Sequence, residues 1–379
     1  MVSIAILGTR GIPNLYGGFE QCAEFLSVGL AAKGYDVSVY VPNWHPYGDD
    51  HYEGVRLIRK WCPEASLGTA AHVVYDYLCL RDALRRKIQV ALELGYGSSA
   101  PSYLLCDTKT IAIVTNMDGL EWSRDKWSPL IKRLMRWFEA VSSRRSHYLV
   151  ADNPGIQEYL RQRYSRDSVY IPYGANVFDA PDRTFLDPYD VAPNGFFLSI
   201  ARFEPENNLD LILDGYVSSE APEPFLVIGN SDNGYGRKLR QRYEGRNVRF
   251  LGGIYNAAIL DNLRHFSKLY FHGHSVGGTN PSLLEAMAAG ARIRAHDNPF
   301  NRSVTEEGAL YFQTGSDVSK LIVDAALEID NGRELARQRA NLEKIRRQFS
   351  WDAVVEGYAR LIDTIEIDNQ RGRARCVVA

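Results

Sequence analysis

The most chemically suggestive stretch of this chain is His274–Gly290, HSVGGTNPSLLEAMAAG. The apolar segment Leu269-Tyr270-Phe271 ends at His272, and Gly273–Asn280 is a loop of mostly small residues. Pro281 then stands where a helix start tolerates a residue without an N–H, and Leu283, Leu284 and Met287 supply a face to bury. A strand, a glycine loop and a helix in that order leave backbone N–H groups around Asn280–Leu284 for phosphate oxygens, at the end of the helix where the dipole favours an anion. Glu285 falls one turn inside the helix. Its carboxylate suits two ribose hydroxyls; the plainer reading is a solvated helix glutamate.

Two other segments offer anion chemistry. Arg202, in Ala201-Arg202-Phe203-Glu204-Pro205-Glu206-Asn207-Asn208, stands at the end of a strand beside a helix start. There a guanidinium can grip a phosphate in bidentate fashion or pair with Glu204 or Glu206. Gly8-Thr9-Arg10-Gly11-Ile12-Pro13, followed by Tyr16-Gly17-Gly18-Phe19-Glu20, joins the first strand to the first helix. It is neither G-x-G-x-x-G nor a Walker A loop, so it reads as an anion-contacting turn or simply a tight one. His272 and His274 have the spacing of alternate strand residues with no third ligand nearby, and no metal is expected.

The elements that position these residues alternate between short β-branched runs and helical patterns, as in parallel sheets with crossover helices. Strands are expected at Val2–Leu7, Asp36–Val41, Val55–Arg59, Gln89–Glu93, Thr110–Thr115 and His147–Ala151, with a helix at Phe19–Lys33 closed by Gly34. A second series is expected at Gly195–Ala201, Pro224–Ile228, Val248–Leu251, Leu269–His272, Arg292–Ala295 and Leu310–Phe312. Helices are expected at Asn208–Val217, Ala257–Arg264, Pro281–Ala289 and Val318–Glu328. The expected fold is thus α/β: two Rossmann-like doubly wound domains facing across a cleft, with ligands at the carboxyl ends of the strands. The first domain is expected over 1–178. The segment 179–194, rich in proline and aspartate, reads as a linker, and the second domain as 195–350. The helix 351–366, after a polar helical stretch at Arg333–Gln348, is expected to return to the first domain, and 367–379 to be a flexible tail.

Bulk properties bound the function. Of 379 residues, 45% are hydrophobic and 24% charged, and the formal net charge of −2 gives no global attraction to nucleic acid. Cys22, Cys62, Cys79, Cys106 and Cys376 are scattered without a C-x-x-C pair, as in reduced thiols of a cytoplasmic protein. Val2–Leu7 leads at once into a strand, so no signal peptide is expected, and no run approaches the roughly 18 apolar residues of a membrane span. Cys376-Val377-Val378-Ala379 fits a prenylation box, a pattern short enough to arise by chance. Between Arg124 and Arg145, seven basic residues are interleaved with Trp122, Trp127, Leu130, Leu134, Trp137 and Phe138. This segment reads either as a helix for an anionic membrane surface, at the inner face of the plasma membrane, or as an amphipathic helix packed on its sheet.

On these motifs the second half resembles the retaining GT-B glycosyltransferases of family 4. Glu285 matches the second glutamate of their E-x7-E motif, Gly277 stands where the first would be, Arg202 matches the family arginine, and Asn207 stands at the family lysine. The first half is similar to the bacterial rhamnosyltransferases of capsule and exopolysaccharide assembly. It carries their pattern at Gly8–Glu20 and Asp118–Trp122; Asn207–Leu213 and Ala295–Arg302 extend the match into the second half. The resemblance implies transfer of L-rhamnose from dTDP-L-rhamnose to a glycan or polyprenyl-diphosphate-linked acceptor, with retention and without metal or other cofactor. It implies diphosphate contacts from Gly17, Gly18, Arg202, Asn207, Gly278, Thr279, Asn280 and Ser282, and ribose contact from Glu285. Met117, Asp118 and Gly277 would line the sugar pocket, with Met117 against a 6-deoxy methyl group, and Asp118 and Arg202 would be catalytic. Another nucleotide-sugar donor, an epimerase, or a non-catalytic sugar-nucleotide-binding or glycan-binding subunit are the alternatives.

Overall fold

The structure, a computed structural model, describes residues 1–15, 17–124, 127–327 and 331–370. The chain divides into two compact units. One comprises Met1–Trp122, Pro129–Tyr173 and the stretch from Trp351 onward; the other comprises Ser123–Ser128 and Gly174–Ser350.

In the first unit the strands are β1 (Ser3–Leu7), β2 (Asp36–Pro42), β3 (His51–Tyr52), β4 (Val55–Lys60), β5 (Val90–Leu94), β6 (Ala112–Asn116), β7 (Tyr148–Ala151) and β8 (Val169–Tyr170). They form one sheet in the order β3-β4-β2-β1-β5-β6-β7-β8, parallel except where β3 pairs with β4. The runs VSVYVP of β2 and VALEL of β5 are buried throughout, as expected of strands covered on both faces. The helices are α1 (Gly18–Ala32), α2 (Glu64–Leu67), α3 (Ala71–Arg85), α4 (Ala100–Leu105), α5 (Pro129–Arg145) and α6 (Pro154–Tyr164). The late helix Trp351–Gln370 packs on α1: Phe25 stacks on Trp351 at 4.6 Å, and the Tyr35 hydroxyl donates to Asp363 at 2.7 Å. Residues 367–370, expected in a flexible tail, continue this helix because the Tyr148 hydroxyl holds Asp368 at 2.9 Å. The prenylation-like tetrapeptide lies outside the described residues.

The second unit is built on β9 (Phe197–Ile200), β10 (Phe225–Ile228), β11 (Val248–Gly252), β12 (Leu269–His272), β13 (Ile293–His296) and β14 (Leu310–Phe312). All pair in parallel, in the order β11-β10-β9-β12-β13-β14. Strand order reverses between β9 and β12, and a ligand belongs at such a switch point, beyond the carboxyl ends of the strands. The helices are α7 (Leu209–Ser219), α8 (Gly234–Tyr243), α9 (Ala257–Phe266), α10 (Pro281–Ala288), α11 (Pro299–Thr305), α12 (Gly315–Ala326) and α13 (Asn331–Gln348), so the helix of the first unit that follows is α14 (Trp351–Gln370). Phe197, Phe225, Phe271 and Phe312 sit in one buried core with Leu209, Leu213 and Val318.

The segment 179–194 is not a free linker. Residues Arg183–Tyr189 form a 3-10 helix capped by Asp182, whose own N–H donates to Asn262 of α9 at 2.7 Å. Leu186 is buried, and Arg249 of β11 donates to the Tyr189 carbonyl at 2.9 Å. Prolines and aspartates here serve a capped helical turn, whose composition matches that of a linker.

Candidate functional site

The switch point of the second unit gathers the sequence's anion-binding candidates. Arg202 follows β9 directly and is exposed, and the loop from Gly273 follows β12. The two turns are locked together. Asn208 donates to the Gly273 carbonyl at 2.8 Å, and the Ser275 N–H and hydroxyl both donate to the Glu206 carbonyl, at 3.0 and 2.9 Å. A Cβ on Gly273 would lie 2.1 Å from the Asn207 carbonyl oxygen, so only glycine permits this approach. Asn207, expected to touch the diphosphate, is buried and donates its side-chain N–H to the Arg202 carbonyl at 2.7 Å. It braces the turn that carries Arg202, a use of the position for which a lysine has no match in geometry.

The helix start differs in detail from the expectation. Asn280 caps α10, its Oδ1 accepting the Ser282 N–H at 3.0 Å. The Asn280 carbonyl accepts from Leu283 and Leu284. The Ser282 hydroxyl shares a 2.7 Å bond with Tyr270. The amides of Ser282–Leu284 are therefore bonded within the cap, and Gly277, Gly278 and buried Thr279 lie immediately upstream of it. Gly277 has φ +132°, with open space where a Cβ would point. An L-residue at that φ would be strained, so glycine is the residue that fits this backbone.

Electrostatics around the loop favour an anion. The His272 and His274 rings stack at 4.3 Å. Burial, then neighbouring His296 and Arg264, push His272 down to about 3. Burial, then His272, Arg202 and Arg124, push His274 well below the ordinary range. Both imidazoles are neutral, the charge of buried Glu206 is offset where Arg124 pairs with it at 3.9 Å, and Arg202 is the exposed cation beside the loop. Arg124 was legible only as part of a basic run, and nothing in its spacing assigned it to this loop. The motif Ala295–Arg302 also acquires a purpose: Asn298 and Asn301 both donate to the His274 carbonyl, at 3.0 and 2.9 Å, and hold the loop's second residue from β13–α11.

Glu285 is placed on α10 and ion-paired with Arg264. Arg264 is fully buried, and Asp261 holds its other arm at 3.0 Å. The pair leaves Glu285 only partly exposed, so this carboxylate is oriented by a buried guanidinium and is not a free surface glutamate. Sequence spacing gave no hint of Arg264.

In the first unit Asp118 follows β6 with φ +46°, a left-handed conformation that aspartate tolerates better than most residues. Its N–H donates to Asn116 Oδ1 at 2.9 Å, and its Oδ1 accepts from the Tyr173 hydroxyl at 3.1 Å. Burial, then the carboxylates of Asp118 and Asp152, push the Cys22 thiol up to about 12, so it is no nucleophile. Met117, expected against a sugar methyl group, is 2% exposed, and its N–H donates to the Val150 carbonyl at 2.8 Å, beyond the end of β6. Gly17 and Gly18 begin α1. Behind them, Glu20 accepts the Arg10 N–H at 2.9 Å and Glu24 the Asn14 N–H at 2.6 Å, so two helix carboxylates pin the glycine-rich turn. Arg10 in turn donates to Glu64 at 2.6 Å and to His72 at 3.4 Å. Cys62, Glu64 and His72 bring ligand atoms within 4.8 Å of one another, and Arg10 bonds two of the three, Glu64 and His72.

Residues 191–344 match the family model Glycosyl transferases group 1, and residues 1–176 match a model described as a domain of unknown function, DUF1972. No curated protein matches the sequence. Among solved structures the chain is similar to a sucrose-phosphate synthase from Thermosynechococcus elongatus, at 16% identity and TM-score 0.77, covering 97% of this chain and 100% of that one. It is similar to Anabaena HepE in complex with UDP, at 13% identity and TM-score 0.72, covering 96% and 100%. The trehalose-6-phosphate synthase OtsA aligns at 11% identity and TM-score 0.71, covering 96% and 99%. These likenesses establish the fold as GT-B, two Rossmann-like domains.

Proposed function

We propose that this chain, a GT-B protein carrying a group 1 glycosyltransferase domain, transfers a sugar from a nucleotide-sugar to a glycan or lipid-linked oligosaccharide acceptor in surface polysaccharide assembly. The observation that carries the reading is the locked pair of turns after β9 and β12, where Arg202, Arg124 and the Gly277–Gly278 backbone border one loop. Preorganised donors and cations there stabilise a departing diphosphate. In the reaction the bond from the anomeric carbon to the diphosphate breaks and one to the acceptor oxygen forms. The acceptor proton passes to the leaving phosphate, with retention of configuration and without metal. Asp118, oriented by Tyr173, positions the sugar or acceptor; Gly17 and Gly18 contribute backbone N–H groups.

The donor proposed is dTDP-L-rhamnose, on the resemblance of Gly8–Glu20 and Asp118–Trp122 to bacterial rhamnosyltransferases. A specific observation favours a second reading, a UDP-linked sugar. Glu285, read as the ribose ligand, would meet only the 3′-hydroxyl of a deoxyribose. Similar structures were obtained with UDP and UDP-glucose. A thermal-shift panel of dTDP-, UDP- and GDP-sugars, followed by transfer assays with the best stabiliser, separates them. Stabilisation by dTDP-L-rhamnose with transfer to an acceptor supports the first reading; a UDP-sugar preference supports the second. Donor epimerisation without transfer, or binding without turnover, removes the transferase reading altogether.

A further inference from the structure

Helix α5 carries its apolar stripe on the wrong side for a helix of a water-soluble core. Leu130, Leu134 and Trp137 recur at i, i+4 and i+7 and so share one face. That face is open to solvent, with Leu130 74% and Trp137 49% exposed. The residues α5 buries are mostly polar: Glu139, Ser142 and Ser143 beside Phe138. Helix α4 packs alongside and adds Leu104 and Leu105, the latter 70% exposed. A surface helix ordinarily turns its apolar stripe to the core, and a contiguous apolar patch on the outside marks an interaction surface.

The helix is held firmly in this orientation. Glu139, buried, accepts from Tyr96 at 3.1 Å, Trp122 at 3.0 Å, Tyr159 at 2.6 Å and Tyr164 at 2.7 Å. Rotating the apolar stripe inward would strip those partners from a buried carboxylate. Arg136 lies over the Trp122 ring at 4.2 Å. Trp122 ends the Asp118–Trp122 motif, so the exposed helix is tied to the loop that carries Asp118.

Charge identifies the occupant. Arg133, Arg136, Arg144 and Arg145 are exposed around the stripe, and Glu139 is the only carboxylate in α5. A second copy docked face to face would oppose like charges across a low-dielectric contact. We propose that the α4–α5 face of the first unit docks on a bilayer surface containing anionic lipid, with Leu130, Leu134 and Trp137 entering the interface and the arginines meeting headgroups. Tryptophan is suited to that depth, with an apolar ring and a polar N–H. The docking is peripheral: among the described residues no helix is long and apolar enough to cross a membrane. It does not depend on which donor the enzyme uses.

The test is vesicle co-sedimentation of the full chain, with phosphatidylcholine alone and with roughly a third phosphatidylglycerol. The protein is expected to pellet with anionic vesicles, to be released by salt, and to show a blue shift in tryptophan emission that the Trp137→Phe variant lacks. Each basic residue near such a surface strengthens partitioning about fivefold. The combined Arg133→Gln, Arg144→Gln and Arg145→Gln variant should therefore bind roughly a hundredfold more weakly. Leu130→Ser with Leu134→Ser should weaken binding tenfold or more at unchanged melting temperature. The proposal is overturned by no binding to either vesicle, by equal binding to neutral vesicles, or by anionic binding that both variants retain. A dimer in size-exclusion chromatography that Leu130→Ser with Leu134→Ser dissolves would also overturn it, by assigning the face to a second copy.

Discussion

Substituting Glu285 by glutamine separates two duties that the structure gives one carboxylate. Arg264 is fully buried between Glu285 and Asp261, and Glu285 keeps 28% of its side chain exposed. Breaking a fully buried pair costs about 3–5 kcal/mol, because it leaves an uncompensated buried charge. Here Asp261 retains one arm of the guanidinium and water reaches Glu285, so about 2 kcal/mol is expected. For a domain of this size that lowers the melting temperature by roughly 4–8 °C. A charged hydrogen bond to a ribose hydroxyl contributes about 1.5–3 kcal/mol, so UDP affinity should fall by roughly 10- to 100-fold. Adding Arg264→Met removes the stranded charge and should recover most of the stability without recovering UDP affinity. Calorimetric titration and thermal unfolding of wild type, both single variants and the double variant measure all four corners. If the double variant regains both stability and wild-type affinity, Glu285 acts only through Arg264 and the ribose role is wrong. If Glu285→Gln leaves the melting temperature unchanged, the ion-pair reasoning itself fails.

Placing at Gly277 the glutamate that the resemblance implies should not confer hexose transfer: Gly277→Glu forces an L-residue to φ +132° and should cost about 1–3 kcal/mol. An improved kcat/KM for a hexose donor in a transfer assay would refute this. A pH dependence follows from Asp76 and Glu93, both fully buried in the first unit, with both Glu93 oxygens lacking hydrogen-bond partners. Burial lifts Asp76 to about 7, and burial together with Asp76 lifts Glu93 well above the ordinary carboxylate range. The protonated forms belong to the folded state, so their stabilisation is complete below the ordinary carboxyl range and is lost as pH rises through the raised values, about 7 for Asp76. Relative to wild type, Glu93→Gln should gain more in melting temperature at pH 8 than at pH 5, because the buried histidines contribute equally to both proteins; an equal change at the two pH values in a melting series would count against the assignment. Asp118→Asn should lower kcat by a factor of about 100 or more with nucleoside diphosphate affinity within twofold, and a variant of near-normal kcat would remove Asp118 from the reaction.

The alternation of strands and helices was readable because parallel strands buried on both faces are written as continuous apolar runs, as in β2 and β5. Lone pairs such as β3 and β8 carry too few residues for a pattern. The segment 179–194 misled because proline and aspartate serve caps and turns as well as linkers. At the site, Arg202, Gly277 and Glu285 stood out because their local context, a strand end or a helix start, is encoded within a few residues. Their supports did not: Arg264 reaches Glu285 from 21 residues away, and Asn301 reaches His274 from 27. Such partners are set by how strands stack in the sheet, which no local spacing records. The burial of Met117 was not legible for a similar reason, since which side of the β6 end meets the core depends on the packing of the whole unit.

The central claim is that the turn carrying Arg202 and the loop after β12 bind the diphosphate of a nucleotide-sugar. Isothermal titration of UDP, dTDP and the matching monophosphates into wild type and Arg202→Gln tests it most directly. The account predicts that the preferred diphosphate binds more tightly than its monophosphate, and that Arg202→Gln weakens the diphosphate by roughly 10- to 100-fold with an unchanged melting temperature. Diphosphate affinity that Arg202→Gln leaves intact, or no preference for diphosphate over monophosphate, would contradict it.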